Sequence, residues 1–177
     1  MELLALVEIL QSSEERNNPT TSEMVLPKVL EILVQLKGED EIIRKTFSVI
    51  RNMSSLVELV IPMLMIYLQK HQYDISKIQI QEICVILQQE GLASESALPL
   101  LIDIFENNED VEIKGAACAA IGAMKFKALP AIPILKRALA NCSDNYLQGA
   151  IEGSLRRIGV PLEDQRFTSK LRQFFGL

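Results

Sequence analysis

Four prolines recur along the chain at nearly equal intervals. Each follows a large apolar residue, and Pro27, Pro62, Pro99 and Pro133 succeed one another at a spacing of about 35 residues. A period of this length is typical of chains built from one repeated supersecondary unit. The sequence therefore predicts a row of similar units that bury their apolar faces against one another.

Apolar residues follow each proline at spacings of three and four, which predicts an amphipathic helix rather than a strand. In the first unit these residues are Leu26, Val29, Leu30, Leu33 and Leu36. Proline is compatible with the first turn of a helix, where its missing N–H has no intrahelical partner. We therefore expect the prolines to mark helix starts or early kinks.

An aspartate stands eleven to thirteen residues after each proline, at Asp40, Asp74, Asp110 and Asp144, and a second helical pattern follows it. A carboxylate at this place can accept hydrogen bonds from the first backbone N–H groups of a helix. The repeating unit is therefore a pair of helices. We expect the second helices to bury Ile43, Phe47 and Ile50, then Ile113, Ala117, Ala120, Ile121 and Met124, and finally Leu147, Ile151, Leu155 and Ile158.

The second helix of the second unit is the least regular of the four. Residues 75–87 are rich in isoleucine and valine, so intrinsic propensity alone favours a strand. The position of this segment within the repeat predicts a helix instead.

These units resemble HEAT or HEAT-like repeats, a helix-pair family that includes the short repeats of phycobilin lyases. The resemblance rests on an early proline, an aspartate that opens the second helix, and a basic residue about four positions later. Asp40 with Arg44 and Asp110 with Lys114 carry this pattern.

The resemblance covers residues 23–159 and implies an all-α fold, an α-solenoid of about four helix pairs within one domain, 1–177. Terminal units of a solenoid differ from the internal ones because they have nothing to stack on. We expect residues 1–22 to form a capping helix and a polar loop. Residues 160–177 are expected to form a C-terminal helix.

Composition argues against several classes of partner. The net charge is −5, whereas nucleic-acid-binding domains usually carry a basic surface. The most apolar run, 56–68, is too short to span a bilayer. Three cysteines without C-x-x-C spacing and the absence of a signal-peptide pattern favour a reduced cytoplasmic location. We expect neither nucleic acid nor membrane as a partner.

No motif in the sequence points to catalysis, a cofactor or a metal. The only histidine, His71, cannot supply a metal site alone, and the phosphate-binding glycine loops are missing. Cys84 and Cys118 fall within helical patterns, whereas Cys142 falls in a turn. The small residues from Gly115 to Ala120 predict close helix packing, with a shallow groove as the alternative.

Two function classes remain open. The architecture favours a non-catalytic module for protein interaction or scaffolding. The alternative is a phycobilin lyase-like or other HEAT-like enzyme subunit that acts on a protein substrate.

Five basic residues and one acidic residue point outward along the second helices, in a chain of net charge −5, which favours an acidic peptide or protein surface as the partner. An ordinary solvated face is the alternative interpretation of these charges. Side chains that point away from the buried face of the second helices are the candidate binding residues: Arg44, Ser48, Arg51, Lys77, Gln81, Lys114, Gln148 and Arg156.

Overall fold

The structure, a computed structural model, describes residues 2–12, 18–36, 40–53, 56–71 and 75–160, and these ranges are helical without any strand. The α-helices among them are α1 (Glu2–Gln11), α2 (Pro19–Gln35), α3 (Asp40–Arg51), α4 (Val57–His71), α5 (Lys77–Glu90), α6 (Leu98–Asn107), α7 (Val111–Ala123), α8 (Ile132–Asn141) and α9 (Asn145–Ile158). Short 3-10 segments, Gly91–Ala97 and Lys125–Ala131, lead into α6 and α8. The all-α class is confirmed.

The prolines take two different positions. Pro99 and Pro133 lie in the first turn of α6 and α8, as predicted for helix starts. Pro27 and Pro62 lie inside α2 and α4, on exposed positions. The first two units therefore carry their proline further along the helix than the last two.

The prediction of a polar loop up to residue 22 is wrong for its last four residues. Helix α2 begins at Pro19, because the Asn18 side chain accepts a hydrogen bond from the Thr20 N–H at 3.1 Å and so caps the helix. Ser22 is then buried within the first turns of α2. Local capping thus extends the helix into a stretch whose composition resembles a loop.

Aspartate capping is confirmed where the structure describes the side chain. Asp110 accepts hydrogen bonds from the N–H groups of Glu112 and Ile113, at 2.9 and 3.1 Å. Asp144 accepts one from the Leu147 N–H at 2.8 Å. The side chain of Asp40, all of Asp74 and the predicted C-terminal helix beyond residue 160 lie outside the described residues.

Helix α5 confirms the helical prediction for the second unit. It begins with a capping box in which Ser76 and Gln79 each bond the other's backbone N–H. Gln79 also donates to the Leu33 carbonyl at 2.7 Å and accepts from the Tyr67 hydroxyl at 3.3 Å. This buried amide links α2, α4 and α5, and its hydrogen bonds offset the cost of burying it.

The second helices pack in chain order, α3 against α5, α5 against α7 and α7 against α9, while α2 packs against α4. Their inward faces form one continuous apolar core. The predicted core positions are all buried, which confirms the apolar stripes: Ile43, Phe47, Ile50, Ile113, Ala117, Ala120, Ile121, Met124, Leu147, Ile151, Leu155 and Ile158.

Small residues of α7 bring this helix unusually close to α9. The Tyr146 ring lies over Gly115, and Gly122 lies directly against Ser154. The Ser154 hydroxyl donates to the Cys118 carbonyl at 2.8 Å. Close packing, rather than a groove, is therefore the role of this run.

Positive φ angles recur with the sequence period. Among the described residues they occur at Gly91, Lys125 and Gly159, with values of 52°, 50° and 103°. Each of these residues follows the end of α5, α7 or α9, and successive ones are one repeat apart in the sequence. Two of the three are glycine, the residue that adopts positive φ without steric cost.

Candidate partner-binding surface

The candidate residues lie on four consecutive second helices, and together they are called the second-helix line below. Three members of the line are exposed, namely Arg44, Lys77 and Arg156. The other five are half-buried. In chain order the members of the line are Arg44, Ser48 and Arg51 on α3, Lys77 and Gln81 on α5, Lys114 on α7, and Gln148 and Arg156 on α9.

Lys77 is already engaged by two carboxylates. Its Nζ lies 2.8 Å from Asp110 Oδ2 and 2.8 Å from Glu112 Oε2, and Gln81 donates to the same Glu112 oxygen at 3.3 Å. Hydrogen bonds from Lys77 lower the pKa of both carboxyls, and these bonds raise the pKa of Lys77. Two carboxylates therefore surround one ammonium group at this point, so the local net charge is negative.

The two acidic partners of Lys77 were missed by sequence reasoning because they belong to the next unit. The separation of Lys77 and Asp110 along the chain is close to one repeat period. In a stacked array, residues one period apart belong to neighbouring units. The repeat period could therefore have predicted that Lys77 lies near Asp110.

Other members of the line also have partners. Arg156 pairs with Glu152 one turn earlier at 3.4 Å, and Gln148 donates to the Cys142 carbonyl. Within the described ranges, neither Arg44 nor Arg51 forms a salt bridge. Among the described residues, the cations of the line without an ion pair are therefore Arg44 and Arg51 on α3 and Lys114 on α7.

A cleft of about 430 Å³ opens beside Lys114 where α6, α7, α8 and α9 meet. Its floor includes Phe105 and Leu147, and its rim carries charges of both signs. Arg137 forms an ion pair with Glu106 at this rim, and sequence reasoning predicted neither residue as part of a site. The mixed charge gives the cleft no preference for one sign of ligand.

The cysteines differ in burial. Burial raises the pKa of Cys84 to about 12 and that of Cys118 to about 11, so both thiols stay protonated near neutral pH. Cys142 is half-buried in the turn before α9, where its Sγ lies 3.5 Å from the Asp144 carbonyl oxygen. The buried pair serves the core rather than nucleophilic chemistry.

His71 is the last residue of α4, where it is half-buried with its ring 5.4 Å from that of Tyr67. In the described part of the chain, no three His, Cys, Asp or Glu side chains are grouped so that they could hold a metal ion. None of the helices described has the length and apolar character needed to cross a membrane.

The chain was also compared with known proteins. No family model, no curated protein and no solved structure matches it. Its function is therefore inferred from its own residues and their geometry.

Proposed function

We propose that this chain is a HEAT-like helical-repeat module that binds an acidic peptide or protein surface along the second-helix line, without catalysing a reaction. The observation that carries this proposal is the order of packing. Helices α3, α5, α7 and α9 contact one another in sequence and leave a polar face uncovered by the core. Extended surfaces of this kind are what stacked helix pairs use for binding.

Three periodic features support the repeat. Prolines recur near the first helices, Asp110 and Asp144 cap α7 and α9 in the same way, and the positive φ angles return once in every repeat from α5 onward. A single period seen in sequence, capping and backbone conformation favours stacked, equivalent units over an irregular helical bundle.

The ion pairs of the line indicate where a partner would be held. Lys77 already has two carboxylates, so we place the main contacts at Arg44 and Arg51 of α3, with Lys114 of α7 beyond them. Arginine guanidinium groups bind carboxylates through paired N–H donors. Charges at the rim of an interface raise the association rate and set register more than they raise affinity.

The test begins with affinity capture of a partner and its identification by mass spectrometry. Reversal of Arg44, Arg51 and Lys114 to glutamate is then expected to slow association with the purified partner and weaken its salt dependence. Thermal stability should stay near the wild-type value, because these positions lie outside the buried core.

Reversal of Lys28, Lys70 and Lys136 to glutamate is the matched control. These exposed lysines lie on α2, α4 and α8, so the control changes the net charge equally while leaving the second helices intact. Equal association rates for the two triple variants would exclude the second-helix line. Turnover of a bound substrate by the wild type would instead favour the enzyme class.

A further inference from the structure

A second surface lies on the connections between units and shares no residue with the second-helix line. It consists of Leu92 on the first 3-10 segment and Lys125, Phe126, Lys127 and Leu129 on the second, and is called the connection patch below. Phe126 is 58% exposed, Leu129 54% and Leu92 41%. Phe126 and Leu129 are three residues apart in one 3-10 segment, so they lie on the same side of it, and the two segments contact each other.

The backbone at Lys125 is unfavourable for the residue found there. Its φ is 50°, whereas Gly91 and Gly159 occupy the positions one period before and after it. Glycine would adopt this conformation without a clash between Cβ and the backbone, so fold stability alone favours glycine. A strained non-glycine residue is typical of functional sites, where the side chain has a use beyond folding.

The patch leaves one positive charge uncompensated. It carries Lys125 and Lys127, and of these two only Lys127 has a carboxylate partner among the described residues, Glu95. Lys125 is exposed beside Phe126, so an acidic partner is favoured at this point of the surface.

One ion pair holds the patch together. Lys127 Nζ lies 2.6 Å from Glu95 Oε2, which joins the second 3-10 segment to the first. The same ammonium lies 5.8 Å from the centre of the Phe126 ring. No ion pair involves Lys125 among the residues that the structure describes, so its charge is available to a ligand.

We infer that the connection patch binds an acidic segment of a partner protein, which places one apolar side chain against Phe126 and Leu129 and a carboxylate on Lys125. An anionic membrane fits less well, because lipid-binding surfaces gather several basic residues and Glu95 puts a carboxylate within this one. The inference goes beyond the proposed function, since the patch shares no residue with the second-helix line.

The probe is a panel of short fluorescent peptides rich in aspartate and glutamate, with or without one central leucine or phenylalanine. Anisotropy should show binding of the peptides that contain the apolar residue. Phe126→Ala is expected to weaken binding about tenfold, as for an interface anchor. Met24→Ala, at a side chain of α2 that is 68% exposed, is the matched control and should bind like the wild type.

Lys125→Gly separates function from stability in a single variant. It should raise Tm, because it relieves the strain, and lower peptide affinity about threefold, because it removes a charge. A purely structural role for this lysine would not produce opposite changes in the two measurements.

Three outcomes would overturn the inference. These are failure of every peptide to bind, wild-type affinity in both Phe126→Ala and Lys125→Gly, and equal binding of peptides with and without the apolar residue. Cosedimentation with phosphatidylserine vesicles that Phe126→Ala abolishes, without peptide binding, would assign the patch to a membrane surface instead. The variant with Arg44, Arg51 and Lys114 reversed retains the patch, so failures of the two proposals are distinguishable.

Discussion

Gly122 of α7 and Ser154 of α9 meet so closely that a Cβ atom on Gly122 would lie 2.7 Å from the Ser154 Cα. Contacts between carbon atoms are optimal at about 3.5–4.0 Å, so even one methyl group must push the two helices apart. The contact with Ser154 therefore sets how closely α7 approaches α9 at this point.

Gly122→Ala is expected to lower the free energy of unfolding by about 1–3 kcal/mol, because the added methyl group overpacks this contact. Denaturant titration measures the change. Gly149→Ala, on the exposed side of α9 with no neighbouring atom within 4 Å, is the control. It should gain about 0.5–1 kcal/mol from helix propensity alone. Equal effects at both glycines would contradict the close approach.

Ala117→Leu should also overpack the core. Ala117 is fully buried, and the larger side chain is expected to cost about 1–3 kcal/mol in the free energy of unfolding. Ala140→Leu, at an exposed position of α8, is the comparison and should leave stability nearly unchanged. Wild-type stability for Ala117→Leu would mean that α7 does not pack as described.

Gln79→Met should expose the cost of breaking a buried polar network. Methionine has a similar shape but leaves the Leu33 carbonyl, the Tyr67 hydroxyl and the Ser76 N–H without their present partner. An unsatisfied buried polar group costs about 1–3 kcal/mol. Gln89→Met, on the exposed side of the same helix, should remain close to the wild type in urea titration.

Lys77→Met should change the dependence of stability on pH. Lys77 lowers the pKa of Asp110 and Glu112 below their ordinary values of 3.8 and 4.5. A carboxyl whose pKa is lower in the folded state stabilises it above the unfolded pKa, and loses that contribution as the pH falls through the folded value. The wild type should therefore exceed Lys77→Met in stability near neutral pH.

This difference should vanish in strong acid, where both carboxyls are protonated. Thermal unfolding followed by circular dichroism across the acid range measures it. Lys136→Met, at an exposed position of α8, is the control and should keep the wild-type pH profile. If Lys77→Met and the wild type differed in stability by the same amount at every pH, the ion pair would not be the cause of the difference.

Short-range patterns in the sequence predicted the helices and much of the core. The capping roles of Asp110 and Asp144 depend on residues two or three positions away, and apolar spacing placed Ala117 in the core. Such interactions lie within one or two helical turns, so the local sequence contains both partners.

Contacts between units were harder to predict. The carboxylates that hold Lys77 lie in the following unit, and the carbonyl that accepts from Gln79 belongs to Leu33, in the unit before it. The strain at Lys125 likewise becomes visible only from the backbone. These features depend on how neighbouring helices are placed, which the spacing of apolar residues leaves open.

The Tyr146 ring packs directly on Gly115, so the fluorescence of this tyrosine reports on the contact between α7 and α9. The chain contains no tryptophan, so its near-ultraviolet fluorescence comes from its tyrosines. Tyr67 is buried beside Gln79 between α4 and α5, whereas Tyr146 is 57% exposed between α7 and α9. Tyr73, the third tyrosine, lies outside the described residues. In a Tyr73→Phe background, emission from unlabelled protein therefore reports on both helix contacts, and the further change Tyr146→Phe leaves the signal of Tyr67 alone.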